Sequence, residues 1–542
     1  LPSLETLFPF PLDPFQKDAI RSLEAGRNVV VCAPTGAGKT VVAEFATWLA
    51  LSNGSRCFYT TPLKALSNQK FFDFRNSLGV ERVGLLTGDI SIQRDADVVV
   101  MTTEVFRNML YGTVLGEVTR NLRGVRFVIL DECHFMNDVD RGTVWEESVI
   151  YAPKDVQLVA LSATIDNAEE LRAWMQEVHG PTDLSVTSHR PVPLRHYFFV
   201  DDKLTRLLNP DGTLNPALHH KTGPIKTGPP RRGRRLQGDR SRSEQPSLPR
   251  PSNDAVCKAL DRRAMLPAIF FVFSRKGCEE ALRECNKSVH LSDAELDALA
   301  DAIDDALEKT PALRSHPHLP FLYQGVAAHH AGLLPSWKNL VERLFVQGLV
   351  KAVFATETLA AGINMPARTT VISAISKRAD EGHRLLTASE FLQMSGRAGR
   401  RGMDPVGNVV VLAHPKERVE DAARLARARP DPLVSQFTPS YGMVLNLLQR
   451  HSESQCHDLL ERSFGQFLAS RSSADYRHDL DELEVEIQRL SGPLCPDQIG
   501  YLNRYHRLYD ELRSLRRQSK AMGKGMDRAA RVPPEMRDAQ HK

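Results

Sequence analysis

A chain of 542 residues is too long for a single hydrophobic core and predicts roughly three to four domains. Apolar residues at 42% and charged residues at 25% exclude a disordered or fibrous chain, and no apolar run approaches the ~18 residues of a membrane span. A net charge of +4 restricts any nucleic-acid surface to local patches, and eight cysteines without a C-x-x-C pair argue against zinc and for reduced thiols in a cytosol-like compartment.

The first residue is Leu1, which leaves room for a removed targeting segment ahead of it. In Leu12-Asp13-Pro14-Phe15-Gln16, the Gln16 amide offers a donor and an acceptor, which suits the edge of an adenine; a solvent-facing Gln on a short amphipathic helix fits equally. The apolar run Val29–Val31 then leads into Cys32-Ala33-Pro34-Thr35-Gly36-Ala37-Gly38-Lys39-Thr40, and a helix-like segment follows from Val41 to Leu51. Strand, glycine loop and helix in that order describe a phosphate-binding loop. Gly36 and Gly38 let the loop Pro34–Lys39 curl so that the N–H groups from Thr35 onward point toward phosphate oxygens, and the helix start adds partial positive charge. Lys39 supplies a full charge for the β- and γ-phosphates, and the Thr40 hydroxyl is placed to ligate Mg²⁺. Ala33 stands where the usual first glycine of the pattern would be.

Cys57–Thr60, Asp97–Met101, Arg126–Leu130 and Val156–Leu161 predict buried strands that alternate with helical segments. Such alternation predicts a parallel α/β sheet with its ligands at the carboxyl edge, so the residues after each strand carry the information. After Leu130 comes Asp131-Glu132-Cys133-His134. Asp131 is placed to share Mg²⁺ with Thr40, and Glu132 to accept a proton from an attacking water. A metal-ligand cluster of Asp131, Glu132 and His134 is the competing reading, but no further His or Cys has ligand spacing. Ser162-Ala163-Thr164 offers short hydroxyls to bridge toward a second lobe. The segments Thr61–Lys70 and Met101–Glu104 suit the grip of a sugar-phosphate backbone, with helix capping as the alternative for each Ser or Thr.

A basic Pro/Gly-rich linker is predicted over residues 201–252, including Pro229-Pro230-Arg231-Arg232-Gly233-Arg234-Arg235. Strand-like runs resume at Ala268–Phe273, Lys351–Thr356 and Asn408–Ala413, with no second phosphate loop. Two lobes sharing one loop predict a site completed across a cleft. In Gln393-Met394-Ser395-Gly396-Arg397-Ala398-Gly399-Arg400, the two arginines three residues apart share a helical face and can serve as arginine fingers; Gln393 is spaced to hold the attacking water, and Arg401 reads as an exposed helix end.

Taken together, the blocks Ala33–Thr40, Thr61–Lys70, Met101–Arg107, Asp131–His134, Ser162–Thr164, Phe271–Cys278, His329–Pro335, Thr356–Pro366 and Gln393–Asp404 resemble, in order, those of a superfamily 2 DExH-box helicase of the superkiller (antiviral, exosome-assisting) type. The opening Phe10-Pro11-Leu12-Asp13 and the block spacing are most similar to the cyanobacterial and chloroplast branch. The resemblance implies two tandem RecA-like α/β lobes, at 1–200 and 253–415, a winged-helix start at 416–475 and a stalk-like helical hairpin at 476–542. It implies ATP and Mg²⁺ as cofactors, with Lys39, Thr40, Asp131, Glu132, Gln393, Arg397 and Arg400 in hydrolysis and His134 linking hydrolysis to strand movement. Lys64, Thr103, Ser274, His329, Gly332 and Thr356 match strand-gripping positions, and Gly362 and Asn364 match a segment touching both ATP and strand.

Beyond the lobes, Phe437–Leu448 and Leu460–Phe467 resemble the winged-helix start, and Leu480, Leu483, Ile487, Leu490, Leu502, Tyr505, Tyr509 and Leu512 repeat at a/d spacing, as in a hairpin. Nothing matches the family's arch tip or ratchet helical bundle, so the chain is expected to be a fragment in which strand-stimulated ATP hydrolysis is better preserved than processive unwinding. The implied activity is 3′-to-5′ movement on single-stranded RNA, as a monomer within an exosome-like or ribosome-linked RNA-processing assembly. The compartment implied is the cytoplasm or an organelle stroma such as the chloroplast's, without membrane insertion. The competing readings are a DNA-repair helicase on the same lobes and a catalytically silent RNA-processing scaffold.

Overall fold

Short runs of β-branched and aromatic residues, apolar on both faces, form the strands of two sheets. The computed structural model describes residues 8–110, 121–218, 250–285, 288–360, 365–379, 382–437, 441–449, 452–471, 480, 482–483, 485 and 506–516. The first lobe contains β1 (Asn28–Cys32), β2 (Arg56–Thr61), β3 (Val83–Leu86), β4 (Ser91–Ile92), β5 (Val98–Thr102), β6 (Val125–Leu130), β7 (Gln157–Ser162) and β8 (Thr182–Val186). Their order is β4-β3-β5-β2-β6-β7-β1-β8. All pairings are parallel except the β3–β4 edge.

The second lobe takes β9 (Leu194–Val200), β10 (Lys203–Arg206), β11 (Ala268–Phe271), β12 (Val326–His329), β13 (Ala352–Ala355) and β14 (Thr369–Ile372). A separate antiparallel hairpin, β15 (Ser376–Ala379) with β16 (Gly382–Leu385), precedes β17 (Gly407–Leu412). The sheet runs β10-β9-β17-β14-β11-β13-β12. Alternate residues serve its two faces: Ile269 and Phe271 enter one core, Ala268 and Phe270 the other. These are the α/β lobes that the strand–helix alternation predicts, in the tandem RecA-like arrangement that the resemblance implies.

Two boundaries differ from the expected ones. β9 pairs in parallel with β17, so the chain enters the second lobe between residues 187 and 193, ahead of residue 200. Its strand character, in Leu194-Arg195-His196-Tyr197-Phe198-Phe199-Val200, outweighs the composition change that follows it. At the other end, the helix Val419–Arg427 buries Val419, Ala422, Ala423 and Leu425 in the second lobe's core, so this helix is part of that lobe. Both lobes form one compact unit ending at Leu433, and a second unit begins at Val434. That second unit contains the helices Tyr441–Leu448 and Glu453–Glu461. The seam positions Ile487, Leu490, Leu502 and Tyr505, and the basic run from Pro229 to Arg235, lie outside the described residues. No helix among the described residues is long and apolar enough to cross a membrane.

Beneath β1 lies a buried polar knot. Asn28 accepts the Leu158 N–H on Oδ1 (2.8 Å) and faces His179 Nδ1 with its amide nitrogen (3.2 Å). His179 Nε2 lies 3.1 Å from the Pro153 carbonyl, so Nε2 carries the proton and Nδ1 accepts. Burial, reinforced by Lys154, pushes this imidazole down to about 4. Unfolding frees it to titrate near its ordinary value, so its stabilising contribution is complete above pH ~6.5 and is lost as pH falls toward 4. We expect the melting temperature to fall from pH 7 to pH 5, with His179 accounting for on the order of 1–3 kcal/mol. His179→Gln should flatten that slope in thermal melts; an identical slope in the variant contradicts the assignment.

Candidate functional site

The loop from β1 to the helix Thr40–Ser52 depends on backbone conformations that only some residues adopt. Gly36 and Gly38 have φ of +83° and +95°, in the left-handed region that favours glycine. A Cβ on Gly38 would lie 2.8 Å from Gln16 Nε2. Ala33 is not among the positive-φ residues, which is why alanine serves where the pattern usually has glycine. Gln16 is buried; its Oε1 accepts the Asp13 N–H (2.8 Å) and its Nε2 donates to the Gly38 carbonyl (2.9 Å). It braces the loop, and its burial corrects the solvent-facing alternative. Lys39 Nζ donates to the Ala33 carbonyl (2.8 Å); burial lowers its pKa against the opposing pull of Glu132 and Asp131.

Asp131 and Glu132 follow β6, two strands from β1 in the sheet. Tyr59, on neighbouring β2, donates its hydroxyl to Asp131 Oδ2 (2.7 Å), and the Glu132 N–H donates to Asp131 Oδ1 (2.9 Å). The two carboxyls are driven apart. Burial, then the adjacent Glu132, raises Asp131. Burial would also raise Glu132, but His134, Lys39 and Arg397 outweigh it and hold the carboxyl below its usual range. Glu132 adopts a left-handed backbone (φ 57°, ψ 48°), a strained conformation for a non-glycine residue.

His134 Nδ1 accepts the Ala163 N–H (3.3 Å), joining the acidic segment to Ser162-Ala163-Thr164. Burial lowers its pKa, opposed by Glu132, whose carboxylate lies 3.4 Å from Nδ1. His134, Lys39 and Arg397 together hold Glu132 ionised. Ser162 is buried, with Oγ unpartnered, and Thr164 is half-buried beside it.

Across the cleft stands the helix Ala388–Gly396 and the turn after it. Pro34–Gly36, Gly38–Thr40, Lys70, Asp131 and Glu132 line a cavity of about 420 Å³ together with Gly396, Arg397, Arg400 and Arg401. Arg397 is buried and donates Nε (3.0 Å) and Nη2 (2.6 Å) to the Ala360 carbonyl. Arg400 lines the cavity while its guanidinium pairs with Asp404 (2.8 and 3.0 Å). Arg401 is exposed, as expected of the helix end, and also donates to the Ala37 carbonyl and pairs with Asp13, both at 3.1 Å. Gln393 lies on the same helix but is not among the lining residues. Gly362 and Asn364 lie outside the described residues.

The expected strand-gripping residues follow neighbouring strands, away from the nucleotide loop: Lys64 after β2 and Thr103 after β5; Ser274, Gly332 and Thr356 after β11, β12 and β13. Lys64 is exposed and pairs with Asp89 (2.9 Å). The Gly332 N–H donates to His330 Nδ1 (3.2 Å), and Thr356 lies 2.9 Å from Thr358 through their hydroxyls. Ser274 caps its helix by accepting the Gly277 N–H (3.0 Å). Thr103 is 1% exposed, and His329 is 4% exposed with its Nε2 2.7 Å from Glu342.

Two contributors escaped the sequence reading. Tyr59 sits in an apolar strand and reads there as core. Arg190, in the connector between lobes, donates to the Thr35, Val192, Gly396 and Ala398 carbonyls; its one local signal is the proline-rich context Arg190-Pro191-Val192-Pro193.

A family model described as DEAD/DEAH box helicase matches residues 13–171, and one described as helicase conserved C-terminal domain matches residues 314–402. The chain is 46% identical over 86% of its length to "Probable helicase HelY" of Mycobacterium tuberculosis, covering 52% of that protein. It is 40% identical over 92% of its length to "DExH-box ATP-dependent RNA helicase DExH15 chloroplastic" of Arabidopsis thaliana, covering 47% of it. With the human "Superkiller complex protein 2" it shares 38% identity over 93% of its length, covering 41% of that protein. The chain thus spans about half the length of the curated relatives it matches.

Tyr59→Phe keeps the ring and removes the hydroxyl on Asp131, leaving the acidic form of that carboxyl more favoured. We expect the Mg²⁺ concentration for half-maximal ATP turnover to rise about three- to ten-fold. A Mg²⁺ titration of the ATPase rate checks this; an unchanged midpoint contradicts it.

Proposed function

We propose that this chain, which belongs to the superfamily 2 DExH-box helicases of the superkiller type, hydrolyses ATP between its two lobes and thereby moves 3′ to 5′ along single-stranded RNA. One observation carries the reading: the phosphate loop and both carboxylates face Arg397 and Arg400 across a single cavity. Its volume of about 420 Å³ suits a nucleotide-sized ligand. Lys39 and the loop's N–H groups hold the phosphates. Glu132, kept ionised among cations, takes a proton from the attacking water, and Arg397 stabilises charge that develops on the transferred phosphoryl group. Arg400 joins when its guanidinium turns from Asp404.

The donor set at Thr40 and Asp131, a hydroxyl and a carboxylate, fits Mg²⁺, which takes few protein oxygens and otherwise water and phosphate. When bound there, the ion neutralises phosphate charge; Tyr59 meanwhile orients the carboxylate that would hold it. His134, touching Ala163, ties the acidic segment to the strand end at Ser162. Lys64, Gly332 and Thr356 are proposed as the strand grip. The relatives named as RNA helicases support RNA over DNA, and the one named for the superkiller complex supports an exosome-linked assembly. The relative named chloroplastic supports an organelle stroma, with the cytoplasm as the other compartment.

Steady-state ATPase with single-stranded RNA and DNA oligomers of equal length tests the assignment; RNA is expected to stimulate turnover more. Glu132→Gln should retain nucleotide binding while losing about 10²-fold or more in kcat. Turnover at the wild-type rate in that variant refutes the base assignment, and equal stimulation by DNA refutes the substrate.

A further inference from the structure

Arg190 sits where the connector between lobes passes the nucleotide loop. Its guanidinium donates to four carbonyls: Val192 from Nε (2.9 Å), Thr35 from Nη1 (3.2 Å), and Gly396 (2.9 Å) and Ala398 (2.6 Å) from Nη2. Thr35 belongs to the phosphate loop. Gly396 and Ala398 flank Arg397, so the peptide oxygens on either side of the arginine finger are held by one cation. Those oxygens lie at the negative end of the helix Ala388–Gly396, where a cation is favoured. Among the described residues no carboxylate pairs with this guanidinium, and burial pushes it down to about 10, still charged at neutral pH. The approach is also close: a Cβ on Gly396 would lie 3.0 Å from Thr35 Cβ.

We propose that Arg190 is a positioning residue that registers Arg397 against the phosphate loop. The inference rests on the hydrolytic reading above and names what holds its two halves in alignment. A half-buried cation with only carbonyl partners contributes weakly to stability for its desolvation cost, yet its planar fork joins three backbone segments at fixed spacing. Lysine keeps the charge but offers a single nitrogen, which cannot reach all four oxygens in the same geometry. Arg190 does not line the cavity, so it acts through Arg397 and not on the phosphates.

The test is a double-mutant cycle in RNA-stimulated ATPase with Arg190→Ala, Arg397→Ala and the double variant, alongside Arg190→Lys, with thermal melts on each. Arg190→Ala should lower kcat about 30-fold or more with KM for ATP within about threefold, and Arg190→Lys should fall between it and wild type. In the Arg397→Ala background the same change should cost less than about threefold, because the residue it positions is gone. Equal cost in both backgrounds, or a loss confined to KM, overturns the inference. A turnover-free measurement separates it from the parent reading. Spin labels at Asp18→Cys and Lys416→Cys, exposed on the two lobes, report their distance distribution. Arg190→Ala and Arg190→Lys should broaden it, and an unchanged distribution counts against Arg190 even where hydrolysis is intact. A wild-type chain without ATPase but with the broadened variants would overturn the hydrolytic reading and leave the registration in place.

Discussion

Gly396 and Thr35 approach so closely that a side chain on Gly396 would leave only 3.0 Å to Thr35 Cβ. That close approach of the Gly396 backbone to the Thr35 side chain is the constraint on which the site depends, because each sheet supplies only part of the chemistry at its carboxyl edge. The first lobe brings the loop, Asp131 and Glu132 to the ends of neighbouring β6, β7 and β1; the second brings Arg397 on a turn before β17. Neither edge alone surrounds a phosphate chain. Parallel sheets put every functional loop on the same side of each lobe, so facing the two edges is sufficient to enclose a cavity.

Closing such a cavity concentrates charge where water is scarce. Lys39, Arg190 and Arg397 all have their pKa lowered by burial. The cations and carboxylates sustain one another: Glu132 stays ionised because Lys39 and Arg397 are near, and Lys39 is partly restored by Glu132 and Asp131. Asp131, buried and beside a second carboxylate, is pushed the other way, with the Tyr59 hydroxyl opposing the shift. Two adjacent acids are thereby separated into a base and a candidate metal ligand by their surroundings alone, the pattern by which pairs of titratable groups divide roles. The strain at Glu132, held at φ 57°, is the local cost of aiming that carboxylate into the cleft.

What could be read from the chain was whatever is local. A glycine loop, a carboxylate closing a strand and two arginines three residues apart are recognisable because spacing within one element fixes their relation. Partners distant in sequence were not. β9 reads as the end of the first lobe until β17, some two hundred residues later, accepts it as a neighbour. Tyr59 is indistinguishable from a core aromatic without knowing that Asp131 lies opposite. His329 is marked as a contact residue by the resemblance alone, and nothing local shows that Glu342, on the next helix, takes its Nε2 inside the protein. Arg401 is exposed as its position suggests, but its partners Asp13 and Ala37 lie across the cleft, hundreds of residues earlier.

The helix Ala388–Gly396 shows why these long-range contacts matter more than its own sequence. Its C-terminal end meets the first lobe through Arg190 and Thr35. Its N-terminal end is held by Asp431, whose carboxylate accepts the Ser389 N–H (2.8 Å) and whose own N–H donates to the Ser389 hydroxyl (3.0 Å). The chain then runs directly back to the first lobe, where the Pro432 carbonyl accepts from Asn137 (3.0 Å) and Leu433 exchanges two hydrogen bonds with Asn167. Asn137 ends the turn that begins at Cys133, and Asn167 follows Ser162-Ala163-Thr164. A helix tied at both ends to the loops that carry the opposing chemistry cannot shift along its axis without disturbing them. Arg397 is therefore held by a frame in which the side chains of Arg190, Asp431, Asn137 and Asn167 each bond main-chain groups of another segment. Each of these partners is distant in sequence, and that is why neither composition nor spacing announces the frame.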